Sequence, residues 1–149
     1  MKTLFFGLLF ISLSSFANSD LIGMWKFTSY IYDGQTAPLP NPDLDLRFIF
    51  YGNGFSRLRW SRLNEPGFCE RKAVYNVVEN VLHQKSIWIN PLNDRSCSSD
   101  SEMRPDAETF TNFQIKDGSL YLELALDGKP FIYVFSFLPD ESDPIGNGQ

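Results

Sequence analysis

Two cysteines and a single histidine are the residues best suited to covalent chemistry. Cys69, Cys97 and His83 admit two arrangements, a catalytic thiol activated by an imidazole or a disulfide bond. A thiol nucleophile needs a base within hydrogen-bonding reach, and His83 is the single candidate. A Cys69–Cys97 disulfide is the simpler arrangement in an exported chain. It would close a loop of about 28 residues and stabilise the fold by roughly 3 kcal/mol.

The start of the chain predicts export. Lys2 gives a basic start, residues 4–13 are almost wholly apolar, and Ser15 and Ala17 supply the small residues that a signal peptidase recognises. The apolar run is too short to span a membrane. We therefore expect a signal peptide over residues 1–17, cleaved after Ala17, and a mature protein in the periplasm or the medium. No cysteine lies at the cleavage point, so lipoprotein processing is excluded.

Charge and length narrow the classes of partner. Cleavage after Ala17 leaves 132 residues, which suits one domain, and loss of Lys2 takes the formal charge from −5 to −6. Binding to nucleic acid or anionic lipid depends on neutralising phosphate with Lys and Arg. An acidic domain is poorly suited to either partner.

The sequence gives little support for a metal site, a haem site or an enzymatic site. His83 is the only histidine, so a zinc site of the usual kind lacks ligands, while a haem site would need His83 to face inward. A position at the rim, two residues into its strand, fits His83 better. The sequence has no Gly-x-Ser-x-Gly elbow and no glycine-rich phosphate loop. Its carboxylates fall mostly in loops, where solvation is the default. We expect no enzymatic activity, no metal and no cofactor.

The elements that must position any site are short strands joined by tight turns. Apolar residues alternate with polar ones, and Gly52-Asn53-Gly54 and Asp127-Gly128 are typical of hairpin turns. A proline-rich loop is expected over residues 33–43, a long polar loop over 91–106 and a loose tail over 139–149. The eight predicted strands cover residues 21–32, 44–51, 55–62, 69–78, 81–90, 107–115, 119–126 and 131–138.

Eight antiparallel strands in 132 residues favour an all-β fold, an up-and-down barrel with one disulfide, over residues 18–138. A barrel of this size is either filled by its own side chains or holds one small ligand. A five- or six-stranded sandwich fits less well, because the chain shows no long crossover between sheets.

Strand parity sorts the side chains into two faces. Trp25, Phe27 and Ile31 share one face of the first strand and are expected to point inward. Arg57 and Arg59 are expected outside, although an inward position would let them bind a ligand carboxylate. Arg71 and Lys72 lie on opposite faces, so one of them must point inward or sit at the rim. The last strand is apolar on both faces and does not sort.

The opening of the mature chain carries a family resemblance. Leu21-Ile22-Gly23-Met24-Trp25-Lys26-Phe27, followed by Asp33-Gly34, resembles the small bacterial lipocalin-like (calycin-type) domains. The resemblance implies an eight-stranded barrel with a hydrophobic cup, small apolar ligands and a lid formed by the loop over residues 33–43. The sequence also departs from the family pattern, in which an arginine late in the chain stacks on the tryptophan. Here the only basic residues after Arg104 are Lys116 and Lys129.

We therefore expect an exported barrel that binds a small hydrophobic or amphipathic molecule, such as a lipid, without covalent attachment. The inward-facing side chains predicted to line or floor its cup are Trp25, Phe27, Phe48, Phe50, Leu58, Trp60, Leu122 and Leu124.

Two alternatives remain open. The first is a protein-binding module of the envelope, such as a hydrolase inhibitor, with a filled core and a stapled loop over residues 91–106 as its contact surface. The second is an outer-membrane barrel, which fits poorly because Arg57, Arg59 and Glu123 interrupt faces that lipid would require to be apolar.

Overall fold

Nine β-strands and three short runs of 3₁₀ structure, with the turns and loops that join them, make up the described part of the chain. The computed structural model describes residues 19–126 and 128–139, so the predicted signal peptide (residues 1–17) and all but the first residue of the predicted tail lie outside it. The strands are β1 (Gly23–Tyr32), β2 (Gln35–Pro38), β3 (Leu44–Phe50), β4 (Phe55–Arg62), β5 (Phe68–Val78), β6 (Val81–Ile89), β7 (Glu108–Lys116), β8 (Ser119–Leu126) and β9 (Lys129–Leu138).

Eight of these strands close into an antiparallel barrel. From β3 to β9 each strand pairs with the next, β3 pairs with the first half of β1, and β9 returns to pair with β1 along most of its length. Closure leaves no unpaired edge along most of the sheet. The predicted all-β, eight-stranded up-and-down barrel is confirmed.

The ninth strand, β2, corrects the prediction of a loop over residues 33–43. Gln35–Pro38 pairs with Ser29 to Tyr32 at the second half of β1, beyond the point where β3 pairs. The turn between β1 and β2 is Asp33-Gly34, and both residues have positive φ, 50° and 76°. Such turns match the twist of a hairpin, so the chain pairs back on β1 before it reaches its prolines.

One end of the barrel is closed by the chain that enters it. The 3₁₀ turn Ser19–Leu21 lies across this end, Leu21 is fully buried, and the Nε1 of Trp25 donates a hydrogen bond of 2.8 Å to the Leu21 carbonyl oxygen. The ring of Phe137 occupies the space where a side chain at Gly23 would begin. Trp25 and Phe137 meet edge to face at 5.1 Å between ring centroids. We call this the closed end and its opposite, where β1 ends and β9 begins, the open end.

A long segment between β6 and β7, residues 90–107, crosses the open end, and we call it the connector. It contains the 3₁₀ turns Arg95–Ser99 and Ser101–Met103, and the side chains of Asp94 and Asp100 accept backbone N–H bonds at their starts. A disulfide joins Cys97 to Cys69 at the start of β5, as predicted. Met103 is 4% exposed and belongs to the core. The connector is therefore folded onto the barrel.

Removing the disulfide should destabilise this arrangement. In the double variant Cys69→Ala/Cys97→Ala we expect the free energy of unfolding in urea to fall by about 3 kcal/mol, because the bond closes a loop of 28 residues in the unfolded chain. Alanine avoids placing hydroxyls at two buried positions. The oxidised wild type is the reference, and a loss well below 1 kcal/mol would show that the connector is held by its other contacts.

Candidate functional site

The open end carries a ring of half-buried apolar side chains. At the closed end and midway up the barrel the inward side chains form one continuous core, with Phe50 and Phe135 each 1% exposed. Toward the open end the inward side chains become partly exposed while still packing on that core. These side chains belong to Tyr30, Leu39, Leu44, Leu46, Trp60 and Tyr133. Partly exposed apolar groups around a concave end are what an apolar ligand would contact.

On one side of the open end, most of these half-buried side chains are aromatic. Tyr30 stacks on Phe131 at 5.2 Å, Phe131 meets Tyr133 edge to face at 5.1 Å, and Tyr133 contacts the buried Phe27 at 4.8 Å. Burial raises the pKa of the Tyr133 hydroxyl, and the negative charges of Glu102 and Asp100 raise it further. The tyrosine therefore stays neutral and offers an apolar ring with a polar tip.

The inward position of Tyr30 corrects the predicted face of β1. A bulge between Phe27 and Ser29 shifts the pairing with β9, so Tyr30 rather than Ile31 packs on the core. A bulge inserts one residue into a strand and reverses the parity that follows it. Trp25 and Phe27 keep their predicted inward positions at 2% and 4% exposure.

The eight predicted ligand contacts divide into two groups. Six are buried in the continuous core, and two, Trp60 and Leu124, are partly exposed toward the open end. Their role as ligand contacts stays a prediction. The buried six are Trp25, Phe27, Phe48, Phe50, Leu58 and Leu122.

A buried cation lies beside this apolar ring. Of the adjacent pair Arg71 and Lys72, Arg71 points inward and is 1% exposed. Its Nη2 donates to Oε2 of Glu102 on the connector at 2.7 Å, and its guanidinium carbon lies 5.7 Å from the ring centroid of Phe48. Nearby, the Oγ of Ser86 donates to the carbonyl oxygen of Glu102 at 3.2 Å. The site thus combines an apolar wall with a buried arginine that is paired with one carboxylate of the connector.

Arg57 and Arg59 serve a different purpose on the outer face of β4. Both donate to the same carboxylate oxygen of Glu70 on β5, at 2.7 and 2.9 Å. Asn90 donates to the second oxygen at 3.2 Å. This group, Arg57, Arg59, Glu70 and Asn90, is the outer ion cluster. It fastens the start of the connector to the barrel and lies on the outside of the barrel wall.

His83 also lies on the outer face. Its Nδ1 is 3.1 Å from Oδ1 of Asn76 and its ring stacks on Phe110 at 4.3 Å. Both cysteines are in the disulfide, so no thiol remains to pair with the imidazole. The inward histidine that a haem site would require is not present.

Two clefts lie on the surface of the protein, one at the open end and one on the outer wall. A cleft of about 180 Å³ lies beside the disulfide and is bounded by Trp60, Phe68 and Asp94. A more open groove of about 660 Å³ is lined mainly by polar side chains, among them Asn112 and Glu123. Within residues 19–126 and 128–139, no three His, Cys, Asp or Glu side chains are placed to hold a metal, and no helix is long and apolar enough to cross a membrane.

Comparison with solved structures identifies the fold. A lipocalin-like protein from Bacteroides uniformis superposes with a TM-score of 0.55 over 80% of this chain and 100% of its own, at 18% identity. The fold is lipocalin-like.

Two further solved structures are similar to this chain. An uncharacterized protein from Bacteroides eggerthii matches with a TM-score of 0.50 and 15% identity, again over 80% of this chain and 100% of its own. The fatty-acid-binding protein 1 of Echinococcus granulosus matches more weakly, with a TM-score of 0.40 and 12% identity. No family model matches the sequence, and a search of curated proteins finds no match.

The sequence marks some of the site residues and not others. Arg71 shares strand parity with Cys69, Ala73 and Tyr75, all buried, so its inward position was readable from β5 itself. Tyr30, Tyr133 and Glu102 have no comparable sign in the sequence. The position of Tyr30 depends on a bulge, Tyr133 lies on a strand that is apolar on both faces, and Glu102 lies in a polar loop.

Proposed function

We propose that this lipocalin-like barrel is an exported carrier that binds a small hydrophobic or amphipathic molecule at its open end. The observation that carries the proposal is the ring of half-buried apolar side chains around Trp60 and Tyr133, continuous with the core below it. Burying these apolar groups against a ligand contributes a favourable free energy of roughly 25 cal/mol per Å² of apolar surface removed from water. The Cys69–Cys97 disulfide supports an oxidising compartment such as the periplasm or the medium.

A neutral amphiphile provides the first test. We expect isothermal titration calorimetry to detect dodecanol binding to the full chain after cleavage of the signal peptide. Binding should show a negative change in heat capacity, the mark of apolar burial. Mass spectrometry of protein purified without detergent should find apolar molecules carried through purification. If the purified protein carries no apolar molecules and calorimetry detects no binding of dodecanol, the protein is not a carrier of this kind.

Trp60→Ala should weaken dodecanol binding about tenfold. A tryptophan that buries about 60 Å² against the ligand contributes roughly 1.5 kcal/mol, which is about a factor of ten in the dissociation constant. Trp88→Ala is the matched control, because Trp88 is 38% exposed and its ring lies on the outer face against Lys72. Equal affinities for the two variants would place the ligand away from the open end.

A second candidate, a protein-binding envelope module, draws support from two exposed leucines. Leu63 in the β4–β5 turn is 85% exposed and Leu92 in the connector is 77% exposed. Both lie in segments at the open end, where a partner protein would bury them together with the connector. Co-purification of a protein that is lost when Leu63 and Leu92 are replaced by Ser would favour this candidate over the carrier.

A further inference from the structure

The buried guanidinium of Arg71 is only partly satisfied. Nη2 is bonded to Glu102, but Nε and Nη1 are buried and have no hydrogen-bond acceptor among the described residues. Buried donors of a charged group are costly to leave without acceptors. Arg71 therefore has capacity for more carboxylate oxygen than Glu102 supplies.

Glu102 reaches Arg71 from the connector and not from the barrel wall. The side chain of Glu102 is 35% exposed, while that of Arg71 is 1% exposed. The ion pair therefore has its cation in the interior and its carboxylate partly in contact with solvent. One oxygen of Glu102 makes one bond, because the carboxylate is tied to a 3₁₀ turn that Asp100 caps. Arginine pairs most strongly with carboxylates that present both oxygens.

The connector can release Glu102 over a short length. The disulfide at Cys97 fixes one side, and backbone hydrogen bonds of Asp106 and Ala107 with Ser86 fix the other. Between them, Met103 is buried in the core, and Glu102 is held by two hydrogen bonds, from Arg71 Nη2 to its carboxylate and from Ser86 Oγ to its carbonyl oxygen. Asp106 has a φ of 60°, a conformation in which a non-glycine residue marks a turn.

We propose that Arg71 binds the carboxylate of an amphiphilic ligand, that Glu102 holds this position in the free protein, and that the ligand displaces it. This inference rests on the proposed carrier function and specifies its ligand as an anionic amphiphile. The apolar part of the ligand contacts the half-buried apolar side chains of the open end, and its carboxylate pairs with the unused donors.

The exchange is balanced in charge. A ligand carboxylate neutralises Arg71 as Glu102 does, and Glu102 returns to water, which it already partly contacts. A ligand without a charge cannot replace Glu102, because Arg71 would be left as an uncompensated buried cation. The site therefore distinguishes an acid from the corresponding alcohol.

Four proteins and two probes test the proposal by calorimetry at neutral pH. The probes are dodecanoate and dodecanol, which share an alkyl chain and differ in charge. The wild type should prefer dodecanoate by roughly tenfold, because a carboxylate that presents both oxygens can use donors of Arg71 that Glu102 leaves without an acceptor. Glu102→Gln should bind dodecanoate roughly tenfold more tightly, with dodecanol unchanged, because the competing charge is gone. Arg71→Met should lose the preference. Glu108→Gln, an exposed carboxylate paired with Lys85, should match the wild type.

Hydrogen exchange gives an independent reading of the displacement. The amides of Glu102 and Met103 are bonded to Asp100 in the free protein. Their exchange should accelerate on addition of dodecanoate and not of dodecanol.

The outcomes separate the two proposals. Equal affinity for the two probes, or no change in Glu102→Gln, overturns the role of Arg71 and leaves the carrier function standing on dodecanol binding. Failure of both probes to bind overturns both. If Arg71→Met does not fold, the Glu102→Gln affinities and the exchange data decide the matter alone.

Discussion

Replacement of Trp25 by Ala is expected to lower the free energy of unfolding by about 4 kcal/mol, the usual cost of removing a buried tryptophan. The side chain is 2% exposed and contacts Phe137 at the closed end. Its loss also leaves the Leu21 carbonyl oxygen without the indole donor, inside a fully buried residue. Since small domains are stable by only about 5–15 kcal/mol, the variant should unfold at markedly lower urea concentration.

Two further variants divide this effect into its parts. Trp25→Phe keeps most of the apolar volume and removes the hydrogen bond, so it should cost less than half as much. Trp88→Ala removes an indole from the outer face and should cost under about 1 kcal/mol. Equal losses for Trp25→Ala and Trp88→Ala would mean that the closed end does not depend on the indole.

Strand alternation made most of the barrel predictable. In β3, Phe48 and Phe50 are buried at 4% and 1%, as their parity indicates. β4 and β8 have the predicted bounds, because each is flanked by a tight turn whose residues tolerate positive φ. Strand alternation and turn residues are local patterns, so predictions from them do not depend on how distant parts of the chain pair.

The departures depend on pairing between strands far apart in sequence. The bulge between Phe27 and Ser29 forms against β9, more than a hundred residues later, and nothing in β1 alone marks it. β2 pairs with a part of β1 that β3 leaves free. The contact of Glu102 with Arg71 depends on how the connector folds after Cys97 is fixed. The predicted contact residues therefore covered the core well and the partly exposed open end poorly.

The outer ion cluster is the second place where one substitution should have a large effect. Glu70 is 4% exposed and accepts hydrogen bonds from Arg57 and Arg59 through one oxygen and from Asn90 through the other. In Glu70→Gln the side chain keeps its size and loses its charge, which leaves Arg57, itself 6% exposed, without this carboxylate. Breaking a buried pair in this way costs about 3 kcal/mol in the free energy of unfolding. Glu65→Gln, on an exposed pair with Arg62, should cost under about 1 kcal/mol.

The same cluster should make stability depend on pH. Burial by itself raises the pKa of Glu70, but the hydrogen bonds from Arg57 and Arg59, the charge of Arg57 and the bond from Asn90 together leave it below its ordinary value of 4.5. A carboxyl whose pKa is lowered by folding binds fewer protons in the folded state, so its stabilisation is present above pH 4.5 and is lost as the pH falls through the folded value. The difference in unfolding free energy between wild type and Glu70→Gln should accordingly be constant above pH 4.5 and shrink below it, in urea titrations at a series of pH values. A difference that stays constant into strong acid would mean that Glu70 contributes through packing and not through its charge.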